Sequence, residues 1–326
     1  MKRLSLFLLI SVLLCSFLFV NVNAIWDNYS GWDYYKKITI NHNDVDEVLT
    51  NFPVLVYLSS SRINWAHVQD DLDDIRFIAS DNTTVLKYEI ESYITNDKAW
   101  IWIKIPSISN TSDTIFYMYY GNTGASSGED KTNTWDSNYV MVQHMRDNTT
   151  SSIVDSTSNN NDGTKKGVGE PAVTTSGKID DAQDFDGSND WINCQAGASL
   201  DVSSITIEVW SNIVSEASIC FVAKSSSPAT APYRSYAMMY NGATKLTFSA
   251  DISGTYTDVV AEDNVAPSGW QHQVATYDGS YGRLYRAGTE IKNNTVSGSI
   301  GSHPTWKLYI ASFAYGDASP AGVPDG

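Results

Sequence analysis

Two glutamates stand at a spacing that could support acid–base chemistry on sugars. Glu89 and Glu91 lie two residues apart in a run typical of a β-strand, so both side chains are expected on one face. Retaining glycosidases hold two carboxyl groups about 5–5.5 Å apart, a gap that such a pair can approach. The alternative interpretation is that the two carboxylates are structural or face the solvent. A glycosidase is therefore one open alternative.

Two acidic loops, residues 155–162 and 184–190, are the candidates for a metal site. Ca²⁺ is bound by about six to eight oxygen atoms in flexible geometry, which side chains and carbonyls of tight acidic turns can supply. An EF-hand is excluded because Asn160 stands where that loop needs glycine. A structural Ca²⁺ site and ordinary Asx turns both explain the pattern. The candidate ligands are Asp155, Asp162, Asp186 and Asp190.

The cysteines and histidines predict no zinc site and no nucleophile. Residues 124–128 match the pattern Gly-x-Ser-x-Gly, but they lie in a Gly/Ser-rich stretch without a strand before and a helix after. Of three cysteines, Cys15 lies in the N-terminal leader. Cys194 and Cys220 could form a disulfide worth about 3 kcal/mol in the chain-entropy model, or could remain buried thiols.

Aromatic side chains are the candidates for ligand binding. Along the predicted strand 99–105, Trp100 and Trp102 share the face opposite to Ala99 and the isoleucines. Tryptophans on an outer face can stack on sugar rings or on a protein, and burial against a second domain is the alternative. Tyr233, Tyr236 and Tyr240 lie in or beside a loop and are predicted to border a ligand groove.

Charge and hydropathy limit the possible partners. The chain has 326 residues and a net charge of −16, which argues against nucleic acid and anionic membrane as partners. Residues 1–24 have a basic start, an apolar run and small residues at the end, as in a cleaved signal peptide. The mature chain shows no other apolar run long enough to span a membrane. The sequence therefore predicts a secreted protein, extracellular or at the cell surface.

Strand signals dominate along the whole chain, so the predicted fold class is all-β. Short runs rich in Ile, Val, Tyr and Trp alternate with turns of Asn, Asp, Ser and Gly. A Gly/Ser-rich stretch, residues 121–130, separates two halves. We expect two jelly-roll-like β-sandwich domains in tandem, at residues 25–135 and 136–326.

The first half resembles a family of domains of unknown function that recurs in secreted archaeal and bacterial surface proteins. The resemblance implies a β-sandwich and a surface setting, and it implies no chemistry. It is carried by the segments Trp32–Ile40, Phe52–Val56, Asp74–Phe77, Tyr88–Ser92, Ile101–Pro106 and Tyr117–Asn122.

The second half resembles the laminin-G-like, or concanavalin A-like lectin/glucanase, family. The resemblance implies a sandwich used by adhesins, lectins and accessory modules, without naming a ligand. The one-strand Glu-x-Asp motif of the family's glucanases is absent. In that family a further strand follows the position of Gly326, so a truncated final strand is expected. The matching segments are Asp155–Ser158, Asn161–Thr164, Gly177–Ile179, Ala182–Trp191, Ile205–Trp210, Trp270–Asp278 and Leu284–Gly288.

Together these patterns predict a non-catalytic binding protein for carbohydrate or a cell-envelope component, acting in adhesion or as an accessory module. Two alternatives stay open. One is a structural surface or filament subunit that assembles through an open sheet edge completed by a partner strand. The other is a glycoside hydrolase of concanavalin A-like fold. Nucleic acid is not expected as a partner, and a structural Ca²⁺ is the one cofactor considered.

Overall fold

The structure is a computed structural model, and it shows an all-β chain. It describes residues 29–149, 151–166, 171–187, 190–213, 219–226, 233–241, 245–263, 269–314 and 320–321. Within these ranges no helix has the length and apolar character needed to cross a membrane. The chain divides into two compact units. The predicted leader, residues 1–24, and the predicted C-terminal truncation lie outside the described residues.

The first unit reaches to Tyr139 and includes Ser156–Ser158. Its two sheets have the strand orders β1-β6-β3 and β2-β5-β4, with antiparallel pairing throughout. Two 3₁₀ turns, His42–Asp44 and Trp65–His67, and the short helix α1 (Lys131–Thr134) complete it. Its strands are β1 (Tyr34–Ile40), β2 (Leu49–Ser59), β3 (Arg76–Ala79), β4 (Tyr88–Ile94), β5 (Lys98–Ile108) and β6 (Thr114–Tyr120).

Side-chain alternation on β5 fixes which face of its sheet is buried. Ala99, Ile101 and Ile103 are fully buried in a core shared with both sheets, where they meet Phe77 of β3 and Met118 of β6. The residues between them point to the outer face of the sheet. The predicted alternation is confirmed, and it leaves the tryptophans of β5 on the outer face.

The Gly/Ser-rich stretch at residues 121–130 belongs to the first unit. Asp74, which is 1% exposed, accepts hydrogen bonds from the amides of Gln69 (3.0 Å) and Gly121 (2.7 Å). The Gln69 side chain donates to the carbonyls of residues 122 and 125, and Arg76 donates to the carbonyl of Ser126. We call residues 121–126 the strap. The Gly/Ser-rich stretch that was expected to separate the two halves is therefore held to the first unit by the buried side chain of Asp74 and the half-buried side chains of Gln69 and Arg76.

The second unit comprises Val140–Asp155 and the chain from Asn159 on. Its main sheets have the orders β16-β15-β14-β13-β20-β11-β8-β7 and β12-β17-β18-β19. A 3₁₀ turn lies at Ala198–Leu200. The strands are β7 (Ser152–Ile153), β8 (Gly163–Lys166), β9 (Ala172–Thr174), β10 (Ala182–Asp184), β11 (Trp191–Asn193), β12 (Ile205–Ile213), β13 (Ile219–Ser225), β14 (Arg234–Asn241), β15 (Lys245–Ile252), β16 (Thr255–Asp263), β17 (Gly269–Tyr277), β18 (Tyr281–Arg286), β19 (Thr289–Thr295), β20 (Lys307–Ile310), β21 (Phe313–Ala314) and β22 (Pro320–Ala321).

One apolar core joins the two main sheets of this unit. Phe248 of β15, Ala275 of β17 and Leu284 of β18 are fully buried within it. Each unit is thus a two-sheet sandwich, and the predicted fold class is confirmed. The predicted bounds of the domains, 25–135 and 136–326, stay predictions.

The predicted disulfide between Cys194 and Cys220 is absent, and both thiols are free and buried. Cys194 lies in the main core, whereas Cys220 belongs to a separate cluster with Ala237 and Met239. A disulfide needs Cβ atoms about 3.5–4.5 Å apart, which side chains in two different clusters do not offer. Burial raises the pKa of the Cys194 thiol to about 12 and raises the pKa of the Cys220 thiol still further.

Candidate functional site

The outer face of the β2-β5-β4 sheet brings together aromatic side chains from neighbouring strands. Tyr57 of β2 lies directly opposite Trp100 of β5, and Leu55 lies opposite Trp102. All four side chains are half-buried, so each keeps some surface in contact with solvent. We call these four residues the aromatic face. The pairing follows from the two-residue period of the strands, which places alternate residues of β2 and β5 on one surface.

Two cations lie against the more open part of the aromatic face. The rings of Tyr57 and Trp100 have centroids 5.3 Å apart and are tilted by 35°. The Arg62 guanidinium lies 5.5 Å from the Tyr57 centroid, and the Lys98 ammonium lies 5.2 Å from the Trp100 centroid. Arg62 is anchored there because it donates to the carbonyl of Tyr57 at 2.8 Å. Flat rings beside charged donors can hold a ligand that has both apolar and polar faces.

The two glutamates of β4 lie beside the aromatic face, with Glu89 directly opposite Trp102, and both are buried, at 4% exposure for Glu89 and 5% for Glu91. Glu89 accepts hydrogen bonds from the indole of Trp135 (2.7 Å) and the hydroxyl of Ser156 (2.5 Å). Glu91 accepts a hydrogen bond of 2.5 Å from the indole of Trp102. The rings of Trp102 and Trp135 pack 5.5 Å apart. The carboxylates therefore fix the orientation of two tryptophans.

A β-bulge changes the predicted relation between the two glutamates. Glu89 lies opposite Trp102, but the register of β4 against β5 shifts between Ile90 and Ser92, so Glu91 is the additional residue of the bulge. The nearby Glu129 accepts a hydrogen bond from the amide of Ile90. Burial, assisted by the charge of Glu89, raises the pKa of Glu129. The solvent-facing interpretation of Glu89 and Glu91 was wrong, and the structural one fits their contacts.

The tyrosines predicted to border a groove have different environments. Tyr233 is 41% exposed, and its assignment to a ligand site stays a prediction. Tyr236 and Tyr240 are fully buried in the main core of the second unit, so their assignment was wrong. Both face inward because the even-numbered residues of β14 from 236 to 240 point to the core, and the Tyr236 hydroxyl donates to the carbonyl of Leu200.

In the acidic loops, aspartate side chains accept hydrogen bonds from backbone amides four or more residues away in the sequence. The two carboxylate oxygens of Asp155 accept from the amides of Val142 (2.9 Å) and Asn161 (2.8 Å), and the amide of Asp155 donates to Asp162. No group of three or more acidic, His or Cys side chains within the described ranges is arranged to hold a metal ion. Asp190 accepts a hydrogen bond from the amide of Asp186. A Ca²⁺ site at these four aspartates stays a prediction.

Sequence reasoning missed part of the aromatic face and a second aromatic surface. Tyr57, Arg62 and Lys98 were not singled out, although a strand pairing of β2 with β5 would have placed Tyr57 opposite Trp100. On the other sheet of the same unit, Tyr35 of β1 packs against Tyr117 and Tyr119 of β6, with centroids 5.9 and 5.7 Å away. The two-residue spacing of Tyr117 and Tyr119 was the available signal.

Comparison with known proteins identifies two segments. Residues 71–164 match the family described as "Domain of unknown function (DUF2341)". Residues 186–323 match the "Concanavalin A-like lectin/glucanases superfamily". The comparison with curated proteins finds no match. The expected order of the two families is confirmed.

Among solved structures, the chain is similar to the binding domain of Paraclostridial Mosquitocidal Protein 1. The two are 14% identical with a TM-score of 0.37, over 51% of this chain. The match spans 44% of that protein's chain, which is less than half of its length. The family matches are the more informative result: this chain carries a DUF2341 segment followed by a concanavalin A-like domain of the lectin/glucanase superfamily.

Proposed function

We propose that this protein is a secreted or cell-surface protein that binds carbohydrate or a cell-envelope component without catalysis, in adhesion or as an accessory module. The observation that carries the proposal is the aromatic face, where Tyr57 and Trp100 lie side by side and half-buried on neighbouring strands of one sheet. Aromatic rings on a rigid strand pair can stack on sugar rings with little loss of side-chain entropy. The concanavalin A-like domain supports the same class of ligand.

A non-catalytic role is supported by the environment of Glu89 and Glu91. A glycosidase needs one carboxyl group as acid and a second as base or nucleophile, both in reach of the glycosidic bond. Here both carboxylates are buried and accept hydrogen bonds from the protein's own indole and hydroxyl groups. A reducing-sugar assay on polysaccharides tests this directly. Sugar release that disappears in Glu89→Gln or Glu91→Gln would assign catalysis to the pair.

The binding proposal is tested with a glycan array, using purified protein with Ca²⁺ and then with chelator. We expect binding to a defined sugar that Trp100→Ala reduces by at least about tenfold, a change of about 1.4 kcal/mol. Tyr281→Ala is the matched control, because Tyr281 is an exposed aromatic residue outside the aromatic face, on β18 of the second unit. Equal losses in both variants, or no binding by a folded sample, would contradict the proposal. Loss of binding with chelator would assign a role to Ca²⁺.

The secreted location is proposed from the N-terminal leader and has its own test. Fractionation of the source cells, followed by detection with an antibody, should find the protein outside the cell or in the envelope fraction. Mass spectrometry should then find a mature chain that begins near residue 25. Recovery of the full-length chain from the cell interior would contradict both expectations.

A further inference from the structure

We propose that the aromatic face selects glycans that carry an anionic group, a carboxylate or a sulfate. This inference rests on the proposed function and names its ligand class. The chain is strongly acidic, with a net charge of −16. Yet two cations, those of Arg62 and Lys98, lie over the half-buried rings of Tyr57 and Trp100. Positively charged groups at a binding surface of an otherwise acidic protein favour a negatively charged ligand.

Lys98 has a charge that is available to a ligand. It lies on β5, in the row next to Trp100, between Ser59 of β2 and Ile94 of β4. Its ammonium lies over the Trp100 ring and forms no ion pair within the described part of the chain. An anionic group at the edge of a stacked sugar can therefore pair with Lys98 without breaking a salt bridge.

Arg62 supplies the second charge and is held in position. Its hydrogen bond to the carbonyl of Tyr57 keeps the guanidinium close to the Tyr57 ring. A guanidinium forms charge-assisted hydrogen bonds with carboxylate or sulfate oxygens, and its planar shape restricts the geometry of the anion. Two cations beside two adjacent rings thus suit a sugar whose ring stacks on an aromatic side chain and whose acidic substituent pairs with a cation.

The carboxylates of the two glutamates on the same sheet are occupied by donors within the protein. Glu89 and Glu91 are buried, and their oxygens accept from Trp135, Ser156 and Trp102. At the end of the β4–β5 hairpin, Asp70 accepts from Asn96. The carboxylates of Glu89, Glu91 and Asp70 therefore have donors within the protein, whereas the cations of Arg62 and Lys98 lie beside the half-buried rings of Tyr57 and Trp100.

The test compares acidic sugars with their neutral counterparts. The probes are oligogalacturonate and its methyl ester, and a sulfated galactan and its desulfated form, in low salt. We expect the wild-type chain to bind at least one acidic member about tenfold more tightly than its partner, a preference that falls as salt is raised. Lys98→Gln and Arg62→Gln should each reduce the preference, because each should lower the affinity for the acidic member more than the affinity for the neutral member. Lys37→Gln is the control, since Lys37 is exposed on the opposite sheet.

Each outcome separates this inference from the proposed function. Preference for the carboxylated or the sulfated probe identifies which anion is recognised. Equal affinity for acidic and neutral members, with binding still dependent on Trp100, overturns the inference and leaves carbohydrate binding intact. A preference that survives in both Lys98→Gln and Arg62→Gln also overturns it. Absence of binding to every sugar of the array by the folded wild-type chain removes the proposed function itself.

Discussion

Asp201→Asn should strongly destabilise the second unit, because Asp201 compensates a buried lysine. Lys224 is 0% exposed, and its ammonium lies 3.6 Å from Asp201 and also donates to the carbonyl of His303. Asp201 accepts from the amide of His303 (2.7 Å) and the hydroxyl of Ser302 (2.6 Å). Removal of the negative charge leaves the ammonium buried without its counter-charge, which is the most costly way to break such a pair.

The magnitude follows from the geometry of this pair. Loss of one partner of a buried ion pair costs about 3–5 kcal/mol, and we expect about 3 kcal/mol because asparagine keeps one acceptor oxygen. For a domain of about 150–250 residues this corresponds to a fall in Tm of about 6–12 °C. Urea unfolding and calorimetry measure both quantities. Asp278→Asn is the control, since the surface pair of Asp278 with Arg283 should contribute less than about 1 kcal/mol.

The double variant Asp201→Asn, Lys224→Met provides the decisive comparison. Methionine removes the buried charge, so the double variant should be more stable than Asp201→Asn alone. A loss below about 1 kcal/mol in Asp201→Asn, or a double variant less stable than the single one, would refute the reasoning. Such a result would mean that Lys224 reaches water when Asp201 is neutral.

The same pair predicts the direction of the pH dependence. Burial acts to raise the pKa of Asp201, but the hydrogen bonds from Ser302 and His303 and the charge of Lys224 outweigh burial, so the pKa is lowered. A carboxyl group with a lowered folded-state pKa stabilises the fold above its unfolded pKa of about 3.9, and this contribution is lost as pH falls. We therefore expect stability to fall below about pH 4, and to fall less steeply in Asp201→Asn. If the stability of the wild-type protein and of Asp201→Asn fell in parallel as the pH was lowered, the result would contradict this assignment.

Three further perturbations test other contacts. Asp74→Ala should lower the free energy of unfolding by about 3 kcal/mol, because it removes two hydrogen bonds to a buried carboxylate. The variant should also make residues 121–126 susceptible to proteases. Resistance of that segment to proteolysis would contradict the role of the strap. Glu129→Gln should stabilise the first unit at pH 7 but not at pH 4. Burial raises the pKa of this carboxyl group, so its ionisation at pH 7 opposes folding. Urea titrations at both pH values measure the difference. Cys194 and Cys220 should react with a thiol reagent only after unfolding, and a reductant should leave Tm unchanged, because both thiols are free and buried. Rapid labelling of the native chain, or a Tm that changes with reductant, would contradict this description of the thiols.

Side-chain alternation was the part of the fold that could be predicted from the sequence. On β5 the two-residue period correctly separated the buried isoleucines from Trp100 and Trp102. On β14 the same period does not distinguish core from surface, because both faces of the strand are buried: Tyr236 and Tyr240 lie in the main core, and Ala237 and Met239 lie in a second cluster. Periodicity gives the face of a residue only when the strand itself has been recognised.

The candidate site was only partly predictable because it depends on strand pairing and on irregularities. Tyr57 reaches Trp100 through the register of β2 against β5, which no local pattern specifies. The bulge in β4 decides where Glu91 points, and bulges have no reliable signature in a single sequence. The environments of the two cysteines could not be predicted from local sequence either, because their separation into two clusters follows from the order of the strands in the sheet.

The strap determines where the gene can be divided. A fragment that ends at residue 120, just before the Gly/Ser-rich stretch, would lack the amide that binds Asp74 and the carbonyls that bind Gln69 and Arg76. It would also lack Trp135, whose indole donates to Glu89. A fragment that continues to Tyr139 retains all of these partners. A cloning boundary placed at the start of the Gly/Ser-rich stretch would therefore remove hydrogen-bond partners of Asp74, Gln69, Arg76 and Glu89.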